Sequence, residues 1–277
     1  MTDGLSSRPL KLTYCADRSR LASESVWGTP PGQPGWILFV DNAPWPADIS
    51  ERLPEICPEY ADLRPLLIRG HNLPHGSCAV ARDGKVHWFN AAREAEPGLQ
   101  QTFQSFLLVC THASHDLCCG RFGSRLVRDL QSRGILVLEC SHLGGDRFAA
   151  NGIALPHGAL LGRLDTSPAD DIAASLRTNN IPPGSLRGWP GQSAQEAVVE
   201  AAVRERLRNW DMAVRPEIEI NLDSADDVQT FVCWVGPFSI HGRLKFAGMH
   251  TDRFTCNATS EASRRLYHAD VDLIEIL

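Results

Sequence analysis

The sequence predicts an α/β protein: a mixed sheet with flanking helices, built from two β-α-β-β modules and followed by a small β-rich C-terminal segment. Three observations carry this. Short apolar runs bounded by breakers recur, as buried strands do. Asp-Gly and Pro-His-Gly breaks separate paired apolar runs, as hairpins require. Helical spacing follows the third long run, whereas prolines interrupt the chain after the first.

Residues 1–35 read as a polar extension that ends in Thr29-Pro30-Pro31-Gly32-Gln33-Pro34-Gly35. Trp36-Ile37-Leu38-Phe39-Val40 is short enough to be a buried strand, and Pro44-Trp45-Pro46 ends it. Pro54 and Pro58 limit residues 49–62 to a short helix at most. Leu66–Arg69 reads as a strand, and Ser77–Ala81 and Lys85–Phe89 flank Arg82-Asp83-Gly84 as a hairpin. The grammar then repeats. Ser105–Cys110 is a strand. Gly120–Arg133 carries Phe122, Leu126, Val127 and Leu130 at helical spacing, with Gly134 as its stop. Ile135–Cys140 is the next strand, and Gly152–Leu155 and Leu160–Leu164 flank Pro156-His157-Gly158. A further helix begins at Asp170, just after Pro168.

The offset from Trp36 to Phe106 equals that from Leu66 to Leu136, so residues 36–104 and 105–180 read as structural duplicates. This element order is compatible with a thioredoxin-like layer. Residues 181–212 read as a linker and a helix, the latter capped by Ser193 and Glu196. Its mixture of small and charged positions places it on the surface. Residues 213–277 form the β-rich segment, with strands expected at Glu217–Asn221, Thr230–Val235 and Arg243–Phe246, and Val271–Leu277 as its last run.

Composition narrows the function. The chain has 277 residues, 43% of them hydrophobic, which is enough for a core. Twenty-seven Lys and Arg against 33 Asp and Glu leave a net charge of -6, which argues against a nucleic-acid partner. No apolar run approaches the roughly 20 residues that cross a bilayer. MTDGLSSRPLKLTYC lacks the apolar stretch of a secretory signal, so the expectation is a soluble cytoplasmic protein without a membrane partner.

Nine cysteines are too many to ignore in a chain of this size. Cys15, Cys57, Cys78, Cys233 and Cys256 are scattered and are expected to be small buried hydrophobes. The other four crowd together. Cys110-Thr-His-Ala-Ser-His-Asp-Leu-Cys118-Cys119-Gly120 runs from a strand end to a helix start. Glu139-Cys140-Ser141-His142-Leu143-Gly144-Gly145-Asp146-Arg147-Phe148 again follows a strand. Parallel strands would bring both loops to one sheet edge. Thiolates and imidazoles are the donors that a soft transition metal or an iron–sulfur cluster needs. Zinc knuckles, a Cys-x-x-Cys thiol motif, a Rossmann fingerprint and a P-loop are missing. A metal or cluster site, catalytic or regulatory thiols, and unreactive buried cysteines all remain open at this point.

CTHASHDLCCGRFG and ECSHLGGDRFAANGIALPHGALLGRLD resemble the sucrase/ferredoxin-like family of thioredoxin-like [2Fe-2S] proteins. The resemblance is specific over residues 106–165 and looser over 14–105. It implies a one-electron carrier rather than a catalyst, with redox proteins as partners. It implies Cys110 and Cys119 as ligands of one iron and His142 as the first ligand of the other. The family's His-x3-His spacing places the fourth ligand at position 146, where this chain has Asp146. Cys140 and Cys118 are the alternates, and loss of the cluster is a further one. Gly144, Gly145 and Arg147 would surround the cofactor, the glycines by close backbone approach and the arginine by its charge. With about +2 on an oxidised core, two thiolates, one imidazole and one carboxylate leave about -1, between the plant-type and Rieske charge states. A thiol redox enzyme or sensor using Cys118, Cys119 or Cys140, and a cluster-free or zinc-bound interaction module, are the competing functions.

Overall fold

The structure, a computed structural model, describes residues 14–70, 73–89, 105–221 and 228–277. The expectations for residues 1–13 and 90–104 lie outside the described residues. Among the described residues, thirteen strands make two sheets: nine in the order β4-β3-β1-β2-β6-β5-β7-β8-β9, and four in the order β10-β11-β12-β13.

The large sheet is two copies of one topology. In the first, β1 (Gly35–Val40) pairs parallel with β2 (Arg64–Arg69) and antiparallel with β3 (Cys78–Arg82), which pairs with β4 (Lys85–Phe89). In the second, β5 (Phe106–Cys110) pairs parallel with β6 (Val137–Cys140) and antiparallel with β7 (Gly152–Leu155), which pairs with β8 (Ala159–Leu161). β2 and β6 meet antiparallel and join the halves. The two central strands, β1 and β5, are buried along their whole length, which is why they read as unbroken apolar runs. The β3–β4 turn is the expected hairpin, with Asp83 and Gly84 both in the left-handed region at φ 52° and 71°.

The halves differ in their crossovers. In the second, helix α2 (Ser124–Gln131) buries Leu126, Val127 and Leu130 against the sheet, and helix α3 (Ala169–Arg177) follows Pro168. In the first, the β1–β2 connection holds only short 3-10 turns at Ser50–Arg52 and Pro58–Tyr60, because its prolines forbid a helix. The first half is therefore four strands with no α-helix between the first two, rather than β-α-β-β.

Three further expectations need correction. The polar extension contains helix α1 (Cys15–Leu21), with Cys15, Ala16 and Ser19 buried. The segment read as a linker contributes β9 (Leu186–Gly188), the last strand of the large sheet. Helix α4 (Ala194–Leu207) is buried between β9 and the small sheet rather than lying on the surface. Its capping box is as expected. Its charges misled because Glu200 and Arg204 are a buried pair at 2.8 Å, one turn apart, with Trp189 donating to Glu200.

The small sheet comprises β10 (Glu217–Asn221), β11 (Val228–Val235), β12 (Phe238–Asp252) and β13 (Ala262–Ile276). The last two form a ribbon of 15 residues on each side, much longer than expected. Its outer half carries few buried residues, so no apolar alternation announces it. No described helix is long and apolar enough to cross a membrane.

Candidate metal centre

Cys110 and Cys140 sit opposite one another at the ends of parallel strands β5 and β6. Both strands then release their loops at the same sheet edge, the usual place for a site in such sheets. Two glycines fold the first loop back sharply. A Cβ on Gly120 would lie 2.4 Å from Ala113 Cβ, and one on Gly123 would lie 2.0 Å from the Cys110 carbonyl oxygen. The chain enters α2 through a π-helical turn, Cys119–Gly123, a device often found at functional positions. Cys119 thereby points back toward Cys110, while its neighbour Cys118 points the other way.

The ligand atoms of Cys110, Cys119 and His142 lie within 4.8 Å of one another, and so do those of His115, His142 and Asp146. Asp146 Oδ1 joins the groups: it is 3.2 Å from Cys119 Sγ and 2.9 Å from His142 Nδ1. Asp146 Oδ2 and His142 Nδ1 are buried without a hydrogen-bond partner, although His142 Nδ1 lies 2.9 Å from Asp146 Oδ1 as an ion-pair contact. Two orphaned donor atoms beside two buried thiols are what a bound metal-containing group would satisfy. The donor chemistry fits such a group, and this buried Cys/Asp/His cluster can hold a metal.

Burial pushes the Cys110 thiol up, but hydrogen bonds from Cys119, His142 and the His112 backbone outweigh it and hold Cys110 at about 5. Burial pushes His142 down, but Asp146 and Cys110 raise it to about 9.

Two arginines that the sequence reading did not single out hold the second loop. Arg64 donates to the His142 carbonyl at 3.0 Å, and Arg187 donates to the Gly144 carbonyl at 2.8 Å and to Asn151. Arg187 is pushed down to about 9 by burial and by nearby Arg147. It lies in the segment that reads as a linker, so nothing in the sequence drew attention to it. Gly144 and Gly145 both occupy the left-handed region, at φ 81° and 73°.

His112 accepts from the His142 backbone N–H at Nδ1. Its Nε2 therefore donates to the Pro46 carbonyl, at 2.7 Å. His115 stacks on His142 with ring centroids 3.8 Å apart. Arg147 is committed elsewhere: it pairs with Glu24 at 2.9 Å and covers Phe254. Cys140 is buried in the sheet core and belongs to neither donor group. Cys118 lies in contact with Cys15 and Cys256, two residues expected to be mere packing.

Comparison with curated proteins and with solved structures finds no match. The sucrase/ferredoxin-like family model matches residues 28–188, more than half of the chain and all nine strands of the large sheet. With both cysteine-bearing loops inside that match, the chain belongs to the sucrase/ferredoxin-like family.

Proposed function

We propose that the protein is a one-electron carrier whose [2Fe-2S] cluster is held by Cys110, Cys119, His142 and Asp146. The observation that supports this most is the convergence of two thiols, an imidazole and a carboxylate from the two loops, with unpartnered buried donor atoms among them. The cluster, when bound, supplies reversible one-electron chemistry.

The surrounding residues have separable tasks. Cys110, Cys119 and Asp146 are 0–1% exposed and exclude water. His142, with 22% of its side chain exposed and His115 stacked on it, is the route toward solvent and a partner. Arg64 and Arg187 fix the His142–Asp146 loop by its carbonyls and offset its negative charge. The sequence carries no flavin or nicotinamide fingerprint, so redox proteins are the proposed donor and acceptor.

Iron and acid-labile sulfide in anaerobically purified protein test the reading. About two of each per chain are expected. Colourless protein without iron would overturn it. A second reading, a mononuclear ion, is favoured by the compactness of the donors, all three of the Cys110 group lying within 4.8 Å. It predicts about one metal per chain and no sulfide. The thiol-enzyme reading fares worse. Cys110, Cys118, Cys119 and Cys140 are all 0–1% exposed, whereas reactive cysteines are partly open to their substrates.

A further inference from the structure

A second set of donors lies behind the first. Cys15 on α1, Cys118 in the loop after β5 and Cys256 between β12 and β13 form a triangle. Its Sγ–Sγ edges are 3.5 Å (Cys15–Cys118), 3.3 Å (Cys118–Cys256) and 3.6 Å (Cys256–Cys15). The Asp116 carboxylate lies beside it, 3.9 Å from Cys15 Sγ, and all four ligand atoms fall within 4.8 Å of one another. We propose that Cys15, Cys118, Cys256 and Asp116 form a tetrahedral zinc site that pins the two ends of the chain to the loop carrying Cys119.

Three physical points carry this. First, bonds of about 2.3 Å to a tetrahedral zinc ion put thiolate sulfurs about 3.8 Å apart, close to the edges seen. A disulfide needs about 2.04 Å, far less than any edge, and would leave one thiol over. Second, Asp116 is 0% exposed, and among the described residues its carboxylate meets no Lys or Arg. A buried carboxylate among thiols with no cationic partner is costly unless a cation sits with it. Third, the carboxylate is oriented as metal ligands usually are. It accepts from the Cys118 backbone N–H at 2.8 Å and from the Cys256 backbone N–H at 2.6 Å. Soft thiolates with one carboxylate suit zinc better than a hard cation.

The site also explains the ribbon. The β12–β13 loop reaches the large sheet at the triangle, where Asn257 donates to the His115 carbonyl and Arg18 donates to the Arg253 carbonyl. Cys15 and Cys256 lie outside residues 28–188, so this site is not contained in the family match. Cys118 and Cys119 are consecutive, yet their side chains point apart and belong to different donor groups.

The test measures zinc and iron together in the full chain purified anaerobically under reducing conditions. About one zinc per chain is expected. Cys15→Ser and Cys256→Ser should each lower zinc at least tenfold while iron is retained. Cys110→Ala should do the reverse, so failure of this site and failure of the proposed electron carrier give different results. Zinc absent from the wild-type protein, zinc unchanged in both serine variants, or iron lost from them in place of zinc would overturn the proposal. If the serine variants do not fold, zinc-edge X-ray absorption of the wild-type protein decides: three sulfur neighbours and one oxygen are expected. A zinc shell without sulfur, or a disulfide among these three cysteines, would overturn it.

Discussion

The two halves of the large sheet share one strand order, and only one of them carries the donors. Register makes the comparison position by position. Val40 faces Ile68 at the ends of β1 and β2, where Cys110 faces Cys140 at the ends of β5 and β6. The first half thus has apolar packing where the second has thiols. Its β1–β2 connection, broken by prolines, has become a wall for the other half's site. The carbonyls of Trp45, Pro46 and Ala47 engage Ser114, His112 and His115, at 2.8, 2.7 and 3.2 Å. The lesson is that one topology yields two products. A helix entered through glycines brings Cys119 back to a strand end. An irregular, proline-rich loop projects instead and supports its neighbour.

The strongest way to break that comparison is to exchange the equivalent strand ends. Cys110→Ala should abolish iron binding, because it removes the thiolate that His142, Cys119 and the His112 amide converge on. Val40→Ala, at the matching position, should leave the iron content unchanged and cost about 1–3 kcal/mol of stability from the cavity. Iron analysis with thermal melts of both variants gives the answer. Equal iron in the two would mean that the halves do not divide the work as described.

Most of this division was legible in the sequence. Buried central strands announce themselves, because both faces are covered and the apolar run is unbroken. The Asp83-Gly84 hairpin is legible because few dipeptides tolerate two left-handed residues in a row. The Cys110–Cys119 and His142–Asp146 loops are legible because donor residues crowd within short stretches. What stayed hidden is assembled from distant chain. Cys15 and Cys256 each look solitary until α1 and the ribbon bring them to Cys118. Arg187 looks like part of a linker until β9 joins the sheet. Glu200 and Arg204 look like a solvated face, because nothing local reveals that both partners are buried together.

Outside the sheet, the second half is tied to the segment after α1 and to the C-terminal ribbon. Glu24 marks that tie. Its side chain is fully buried, with Arg147 from the second half at 2.9 Å, Arg264 from the ribbon at 2.9 Å and His250 at 3.6 Å. Burial alone would raise its carboxyl, but Arg147, the Ser19 hydroxyl and Arg264 outweigh this and hold it below the ordinary carboxylate value. A carboxyl harder to protonate in the folded chain than in the unfolded one adds stability above the unfolded value of about 4.3. That contribution is lost as pH falls through the lower folded value. Glu24→Gln should cost about 3–5 kcal/mol at neutral pH, because it strands buried arginines, and should flatten the acid side of the stability profile. Denaturant melts between neutral and acidic pH measure both. An unchanged acid limb would show that the tie is elsewhere.

The smallest and sharpest contrast is between two glycines. Gly123 in the second half has no room: a Cβ would lie 2.0 Å from the Cys110 carbonyl oxygen, and backbone cannot swing aside as a side-chain tip can. Gly84 in the first half has open space, and only its φ of 71° resists substitution. Gly84→Ala should therefore cost about 1 kcal/mol and leave iron binding alone. Gly123→Ala should cost about 1–3 kcal/mol and also lower iron occupancy, since relief requires α2, and Cys119 with it, to move away from β5. If Gly123→Ala destabilised the fold but kept full iron, the close seating of α2 on the Cys110 carbonyl would be a packing feature only. The difference between the halves would then rest on the donors themselves rather than on how the helix delivers them.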